Sequence, residues 1–505
     1  MKGFESKPQS VPFLFSVLLT VLFQLNCAPQ APEDQGRQVL EEAAEVMGGL
    51  QALQAIENIT RKGTRTRNSL GQGHVTTDRL LMGSPGPYTQ MLDFDGPREV
   101  NLTGSREAIQ LVDWNKGGYR DVFGSALRPL EATQLQGYRK EWDRDPARFL
   151  VHALGIESSI KGISEAAVDG KPHHIVSLQF IDAIYYDVYV DDTTHLISKL
   201  AFTEDRNPYG DLARDRTFSD YRDVENVKLP FSDITREMNE VTEVKEWAEM
   251  TINGDLPEDR FVIPEGLQER AQSLAHSDRL PVLPTELADG VYFGEGVNMN
   301  NMWVEFEDFV LVAEGPNNEV QSLEAIRQIR ETVGDKPIRY LVTSHHHSDH
   351  TGGIRTYAAE GATIITHANN EEVIREILTL PHTLKSDRLF KSEIEPQIET
   401  VTDRKTITDG TRTVELMHVP NPHASGFLAI YLPKERLIFQ SDLFQIQSDT
   451  FQIVPEQNGP VRVPPEGIDF YNAVTKARWK VNAIVPGHGR VLEWKELVDA
   501  VNATR

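Results

Sequence analysis

The chain has 505 residues, of which 39% are hydrophobic and 25% charged. That length exceeds what one hydrophobic core usually serves, so two domains, or three, are expected. Its formal net charge of −25 repels phosphate backbones, which excludes nucleic acid as a partner or substrate and favours a small or neutral substrate.

The N-terminus reads as an export signal. Lys2 and Lys7 precede an apolar stretch from Val11 to Phe23 that is too short and too interrupted to span a bilayer as a stable helix. The single cysteine, Cys27, rules out an internal disulfide framework. It falls where such a signal ends, and its position resembles that of the acylated cysteine of bacterial lipoproteins. The preceding Gln24-Leu25-Asn26 departs from that family's pattern, so a plain secretory signal over residues 1–27 stands beside membrane anchoring through Cys27. Either way the mature protein is expected to be exported, periplasmic or anchored facing the periplasm, with Ala28 to Gln35 as a polar tether.

Gln38 to Ile56 is helix-like, rich in Ala, Glu, Gln and Leu. Val176 to Phe180 then alternates apolar and polar residues. Tyr185 to Val190 and Leu196 to Phe202 read as two strands joined by a turn at Asp191-Asp192-Thr193-Thr194. Thr217 to Tyr221 and Val227 to Phe231 continue in short extended pieces. A mainly antiparallel β domain with a few helices, of α+β character, is expected over residues 36–260. His173 and His174 are expected as an exposed pair in a turn. The leading helix, the hairpin near Tyr186 and Val190, and then Tyr221 and Leu229-Pro230-Phe231 resemble the curved sheet of periplasmic lipoprotein-carrier proteins. That resemblance implies a concavity for acyl chains; a scaffold or lid role is the alternative.

A Pro-rich junction runs from Leu256-Pro257 to Leu283-Pro284, and a second domain is expected over residues 285–505. Met302 to Phe306 alternates like a half-buried strand, and Phe309 to Val312 reads as a fully buried one. Leu323, Ile326, Ile329 and Val333 recur at helical spacing, and Gly334 can end that helix. Next come the apolar run Ile338 to Val342, a short helix ending at Gly361, the strand Thr363 to Thr366 and a helix over Glu371 to Leu378. Strand-like Val414 to Met417, Phe427 to Leu432 and Leu437 to Gln440 precede a helix near Phe470 to Lys476 and the strand Ala483 to Val485. Alternating β and α elements with meandering strands predict an α/β layered architecture.

Directly behind Ile338 to Val342, Ser344-His345-His346-His347-Ser348-Asp349-His350-Thr351-Gly352-Gly353 packs four imidazoles and a carboxylate into six consecutive residues. Imidazoles this close are unfavourable unless a divalent cation turns their lone pairs and the carboxylate into bonds. A strand's alternation sends residues two apart to the same side, so His345, His347 and Asp349 are expected to converge where the chain leaves the sheet, with His346 pointing away. No thiolate is present among these residues, which suits zinc, with iron or manganese as alternatives set by availability.

The order His-x-His-x-Asp-His, then His423 in Pro420-Asn421-Pro422-His423, Asp442 in Gln440-Ser441-Asp442 and His488 in Pro486-Gly487-His488-Gly489, resembles the metallo-β-lactamase superfamily over residues 285–505. The resemblance implies an αβ/βα sandwich. It implies one zinc on His345, His347 and His423, a second on Asp349, His350 and His488, and Asp442 bridging them. A hydroxide between the two metals would attack an ester-type bond, with Asp349 as the catalytic residue that orients it and relays its proton. Asp442 sets the chain apart from the antibiotic-hydrolysing members, which carry Cys or Ser near that position, and His347 from the flavodiiron branch, which has a carboxylate there. Glu314-Gly315 departs from the Asp of many relatives. His367, His382 and His418 are expected to be structural or surface residues, His418 with a supporting role as the alternative. The loop from Leu443 to Pro465, with Phe444, Ile446, Phe451, Ile453 and Val454, is expected either to wall the substrate pocket or to contact the other domain.

The expected function is thus an exported dinuclear zinc hydrolase for a thioester, lactone, phosphoester or similar small-molecule substrate. Two alternatives stay open. One is a single-iron oxygenase of sulfur compounds on the same ligands, and the other is a lipid- or lipoprotein-binding protein acting through the N-terminal domain.

Overall fold

The computed structural model describes residues 31–122, 124–156, 158–180, 184–455 and 461–504. The segment 1–27 expected to be an export signal, Cys27 included, lies outside them. The fold is mixed α/β, a mainly antiparallel β half followed by an αβ/βα sandwich.

The N-terminal half is organised by a 13-stranded sheet in which every neighbour is antiparallel. Its centre is the pair Asn58–Arg67 and Glu240–Ile252, far apart in sequence. From there the chain meanders to one edge at Ala126–Pro129, then restarts at the other edge with Ser158–Val168 and meanders back. One face buries Leu178, Tyr186, Val188, Leu200 and Leu229, which alternate with outward residues because side chains on a strand switch face at every step. The helices Pro32–Val46 and Pro146–Ala153 fill that face with Leu40, Ala43, Phe149 and Leu150, joined by Met47 just past the first helix. The helix expected over Gln38 to Ile56 is broken at Gly48 and Gly49, both at positive φ, and a short second helix Leu50–Gln54 follows. The reason is steric: a Cβ on Gly48 would come within 2.3 Å of the Asn226 carbonyl oxygen.

His173 and His174 do not lie in a turn. They sit in the strand Lys171–Phe180, His173 buried with Nδ1 2.9 Å from the Lys171 carbonyl and His174 Nδ1 2.6 Å from Asp192. The sheet extends further toward the chain's turn than the apolar pattern alone reveals.

The C-terminal half is two sheets packed face to face. Four antiparallel strands, Val282–Ala288, Val291–Gly296, Asn301–Glu305 and Val310–Ala313, lead into three parallel ones, Ile338–Val342, Thr363–His367 and Gln397–Val401. The second sheet contains Arg404–Thr408, Thr413–His418, Leu428–Leu432, Leu437–Gln440, Ala483–Pro486 and Leu492–Glu493. Alternation divides each strand between two cores. Leu311, Ala313, Val342 and Ile365 meet Leu416, Leu428, Ile430, Phe439 and Val485 between the sheets. Val310, Val312, Leu341 and Ile364 instead pack under the helices Glu319–Val333, Ile354–Ala359 and Glu371–Thr379. On the far side Ala429, Tyr431, Ile438 and Ile484 pack against Phe470, Val474, Leu497 and Val501. Both sheets are therefore apolar on both faces, as a helix-covered sandwich requires.

The helix Glu319–Val333 turns its row inward through Ile326 and Ile329, whereas Leu323 is 36% exposed and Ala325 takes the inward place. It ends at Gly334, φ +77° and ψ −164°, a region essentially reserved for glycine. A Cβ there would meet open space, so the backbone alone resists it. Gly334→Ala is expected to lower stability by about 1–3 kcal/mol, read as a shift in the denaturation midpoint; an unchanged midpoint would show that this turn relaxes at no cost.

The two halves share packing. Leu70, Tyr209 and Leu212 of the N-terminal half lie in the core beneath the C-terminal helices, and Arg79 forms a two-pronged ion pair with Glu376.

Candidate metal centre

The strand Ile338–Val342 ends before the histidines. His345 to His347 occupy an irregular segment, and Ser348–Thr351 forms one helical turn. Their convergence therefore owes nothing to strand alternation. Instead a loop and the start of a helix turn the side chains together at the carboxyl end of a buried strand. His423, Asp442 and His488 follow the strands Thr413–His418, Leu437–Gln440 and Ala483–Pro486 at the same end of the second sheet.

The structure brings together all seven expected residues. Donor atoms of His345, His347, His423 and Asp442 lie within 4.8 Å of one another, as do those of Asp349, His350 and His488. Asp442 joins the two groups: its Oδ2 is 3.1 Å from both His423 Nε2 and His350 Nε2, and its Oδ1 is 3.6 Å from His488 Nε2. Asp349 Oδ2 is 3.5 Å from both His350 Nε2 and His488 Nε2. His346 belongs to neither group.

The second ring nitrogens of four of these imidazoles are held from behind. His345 Nδ1 lies 2.9 Å from Ser344 Oγ, and His350 Nδ1 2.8 Å from Ser441 Oγ. His347 Nε2 donates to the Gly73 carbonyl at 3.1 Å and His488 Nδ1 to the Asn298 carbonyl at 2.9 Å. A carbonyl only accepts, so those two contacts fix the tautomer and leave His347 Nδ1 and His488 Nε2 with free lone pairs facing inward. His345 also stacks on Phe427, ring centroids 5.0 Å apart. The neighbouring Glu314 is fully buried; its Oε1 accepts from the Ser344 amide at 2.9 Å, and its Oε2 lies 3.5 Å from His350 Nδ1. The longer carboxylate thus braces the segment that carries the histidines.

The donor set fits divalent cations. His347 Nδ1 and Asp442 Oδ1 are buried with no hydrogen-bond partner, although such groups are nearly always satisfied. His345 Nε2 and His423 Nε2 face each other at 3.2 Å, two nitrogens that need something positive between them. Burial, reinforced by neighbouring imidazoles, holds His345 well below the usual histidine range and lowers His347 to about 3, so both are neutral donors. For His350 burial acts the same way, but Asp442, Asp349 and Glu314 outweigh it and hold the imidazole well above its ordinary value. That local excess of negative charge is what a cation would neutralise.

Sequence reasoning missed the partners supplied from outside the sandwich. Between the short strands Ser69–Leu70 and Leu80–Leu81, the segment 71–79 of the N-terminal half reaches over the site. Gln72 Nε2 donates to Asp349 Oδ1 at 2.9 Å, and the Gly73 carbonyl receives both His346 Nε2, at 3.0 Å, and His347 Nε2. No motif marks Gln72 or Gly73. Ser344 and Ser441, by contrast, each precede a donor residue, and that adjacency was a usable signal. His367, His382 and His418 stay outside the donor groups: His418 Nε2 contacts the Ser425 carbonyl, His367 Nε2 the Thr402 carbonyl, and His382 is buried near Asp205 and Asp387. The loop after Asp442 buries Leu443 and Phe444 in the sandwich. Farther on it docks on the N-terminal half, where Ile453 and Leu127 exchange backbone hydrogen bonds at 2.8 and 3.0 Å.

Residues 321–488 match the family model of the Metallo-beta-lactamase superfamily, which marks a domain of that family in this part of the chain. Over 130 residues, 26% of this chain, it is 26% identical to 2,4-dinitroanisole O-demethylase subunit alpha of Nocardioides sp. (strain JS1661), and the match spans 36% of that relative's length. Similar solved structures include a metallo-beta-lactamase from Pontibacter korlensis, at 16% identity and TM-score 0.34, covering 44% of this chain and 97% of that one. Another, from Hirschia baltica, stands at 16% identity and TM-score 0.33, covering 45% and 98%. A flavodiiron core from Synechocystis sp. PCC6803 stands at 13% and 0.36, covering 45% and 61%.

Proposed function

We propose that the protein is an exported metal-dependent hydrolase that holds two zinc ions and cleaves an ester-type bond in a small molecule. The observation that carries this is the placement of Asp442 against two compact groups of imidazole and carboxylate donors. His345, His347 and His423 would hold one ion, Asp349, His350 and His488 the other, with Asp442 shared. Divalent cations there supply Lewis acidity and make water a nucleophile near neutral pH.

The chain's own residues do the rest. Gln72 ties down Asp349 Oδ1, which fixes the carboxylate so that Oδ2 faces the centre beside His350 and His488. Asp349 is 34% exposed and His423 25%, so this is the side open to water and substrate. Asp349 Oδ2 is placed to orient an attacking water and take its proton.

The test is a hydrolysis panel across thioester, lactone, phosphoester and sulfate ester bonds, with metal analysis of the same preparation. About two zinc ions per chain, loss of turnover on chelation and its return on adding zinc are the expected results. Asp349→Ala should lower turnover by about 100-fold or more while leaving the fold intact; full activity in that variant would place the chemistry elsewhere. A second reading is oxidation of a sulfur compound at a single iron held by the same donors, and the same metal analysis separates the two. One iron per chain with oxygen uptake during turnover would replace the hydrolytic reading.

A further inference from the structure

Of the four imidazoles in the first histidine segment, three stand among the metal donors and His346 does not. It is nonetheless buried, and its Nε2 donates to the Gly73 carbonyl at 3.0 Å. The motif thus directs one histidine at the segment 71–79 of the N-terminal half rather than at a cation.

That segment is firmly held at its ends. Leu70 is buried beneath the C-terminal helices with Leu80 packed against the same core, and Arg79 bonds Glu376 at 3.1 and 2.7 Å. Between the ends Val75 is the one purely aliphatic side chain, and hydrogen bonds do the holding. Gln72 Nε2 donates to Ser348 Oγ at 3.1 Å and to Asp349 Oδ1 at 2.9 Å, and the Ser348 amide donates to the Gly71 carbonyl at 3.1 Å. Across the centre, the Ser425 amide donates to the His74 carbonyl at 2.9 Å, and Thr76 Oγ1 to the Asn369 carbonyl at 3.2 Å. Ser348 and Asp349 follow a strand of the first sheet and Ser425 one of the second, so the segment straps the two sheets together at their donor-bearing end. A polar strap of this kind opens at lower cost than a packed core, since few apolar contacts are lost.

Its course gives it a function. Asp349, at 34%, and His423, at 25%, are the most exposed of the seven donors. Each lies beside an anchor of the strap, Asp349 at Gln72 and His423 two residues before Ser425. The way from solvent to the donors therefore runs along the strap. Strap and cation also favour each other. A cation on the inward Nδ1 of His347 leaves the ring proton on Nε2, the donor that the Gly73 carbonyl accepts from. By reciprocity, a closed strap favours the cation.

We infer that the strap 71–79 is a latch on the metal centre: it closes over the bound ions, has to open for them to leave, and is pinned by His346 as a positioning residue. The N-terminal half thereby governs how long the C-terminal site keeps its metals. The inference rests on the proposed metal centre, and its test reads release rather than turnover.

The full-length protein is loaded with zinc, and release into an excess of colorimetric chelator is timed. His346→Leu should release zinc about 10-fold faster or more, from the same initial content as the unmodified chain. His346→Gln, whose side-chain amide can donate to the same carbonyl, should keep most of the unmodified rate. Arg79→Gln alters no donor residue and should speed release by about 2- to 5-fold by loosening the far end of the strap; it decides the matter if His346→Leu does not fold. Hydrogen exchange at the Ser425 amide should be about 10-fold slower with zinc than after chelation, and that difference should shrink in Arg79→Gln. Equal release from the unmodified chain and the loosened variants would overturn the latch. So would His346→Gln behaving like His346→Leu, because the packing of the ring and not its hydrogen bond would then be at work. An unmodified chain that holds no zinc would instead remove the proposed function, and this inference with it.

Discussion

Asp442→Ala is expected to reduce bound metal from about two ions per chain to one or fewer and to lower turnover by more than about 100-fold. The magnitude follows from position. Partners that merely orient a metal-binding side chain already change affinity or activity by about 10–100-fold, and Asp442 lies within 3.1 Å of donors in both groups. Its removal leaves two sets of imidazoles facing each other with no anion between them. Asp442→Asn keeps the shape and discards the charge, so the pair of variants separates packing from electrostatics. The measurements are metal content by elemental analysis and steady-state kinetics at saturating zinc. If Asp442→Ala retains both ions and ordinary turnover, the two groups do not form one centre.

Gly73→Ala, some 270 positions before the histidines in sequence, is expected to weaken zinc affinity by about 10–100-fold. A Cβ at Gly73 would sit 1.7 Å from the Asp78 carbonyl oxygen, so the segment must move. It would carry away the carbonyl that holds His346 and His347. Without that acceptor the His347 ring is free to rotate and to change tautomer, and its lone pair no longer points at the site. Gln72→Leu tests the neighbouring contact, since it removes the donor on Asp349 Oδ1 without disturbing the backbone, and should act mainly on turnover. Competition with a zinc chelator reads affinity directly. Unchanged affinity in Gly73→Ala would mean that the sandwich holds its metals unaided.

Much of the centre is legible in the sequence because its chemistry is narrow. Few arrangements other than cation binding explain His345, His347, Asp349 and His350 in one short segment. His423, Asp442 and His488 each follow an apolar strand, and that local punctuation marks the same end of a sheet. Strand alternation predicts the convergence of these residues for a reason that does not operate: the strand stops at Val342, and a loop with one helical turn does the gathering. Apolar runs such as Leu428–Leu432 are legible as strands, but not which core each side chain enters. His173 is misplaced by local pattern because the short polar stretch Lys171-Pro172-His173 looks like a turn, while pairing with Asp191 makes it strand.

Residue type and local spacing along the chain are enough to name the donors, the buried strands and the order in which they occur, since metal preference and period-two burial are properties of short segments. The fixing of tautomers by Gly73 and Asn298, the hold of Gln72 on Asp349 and the docking of Ile453 on Leu127 come only with the folded chain. Each of these depends on groups 190 or more residues apart meeting at hydrogen-bond distance, and a carbonyl carries no mark in sequence of what it will face.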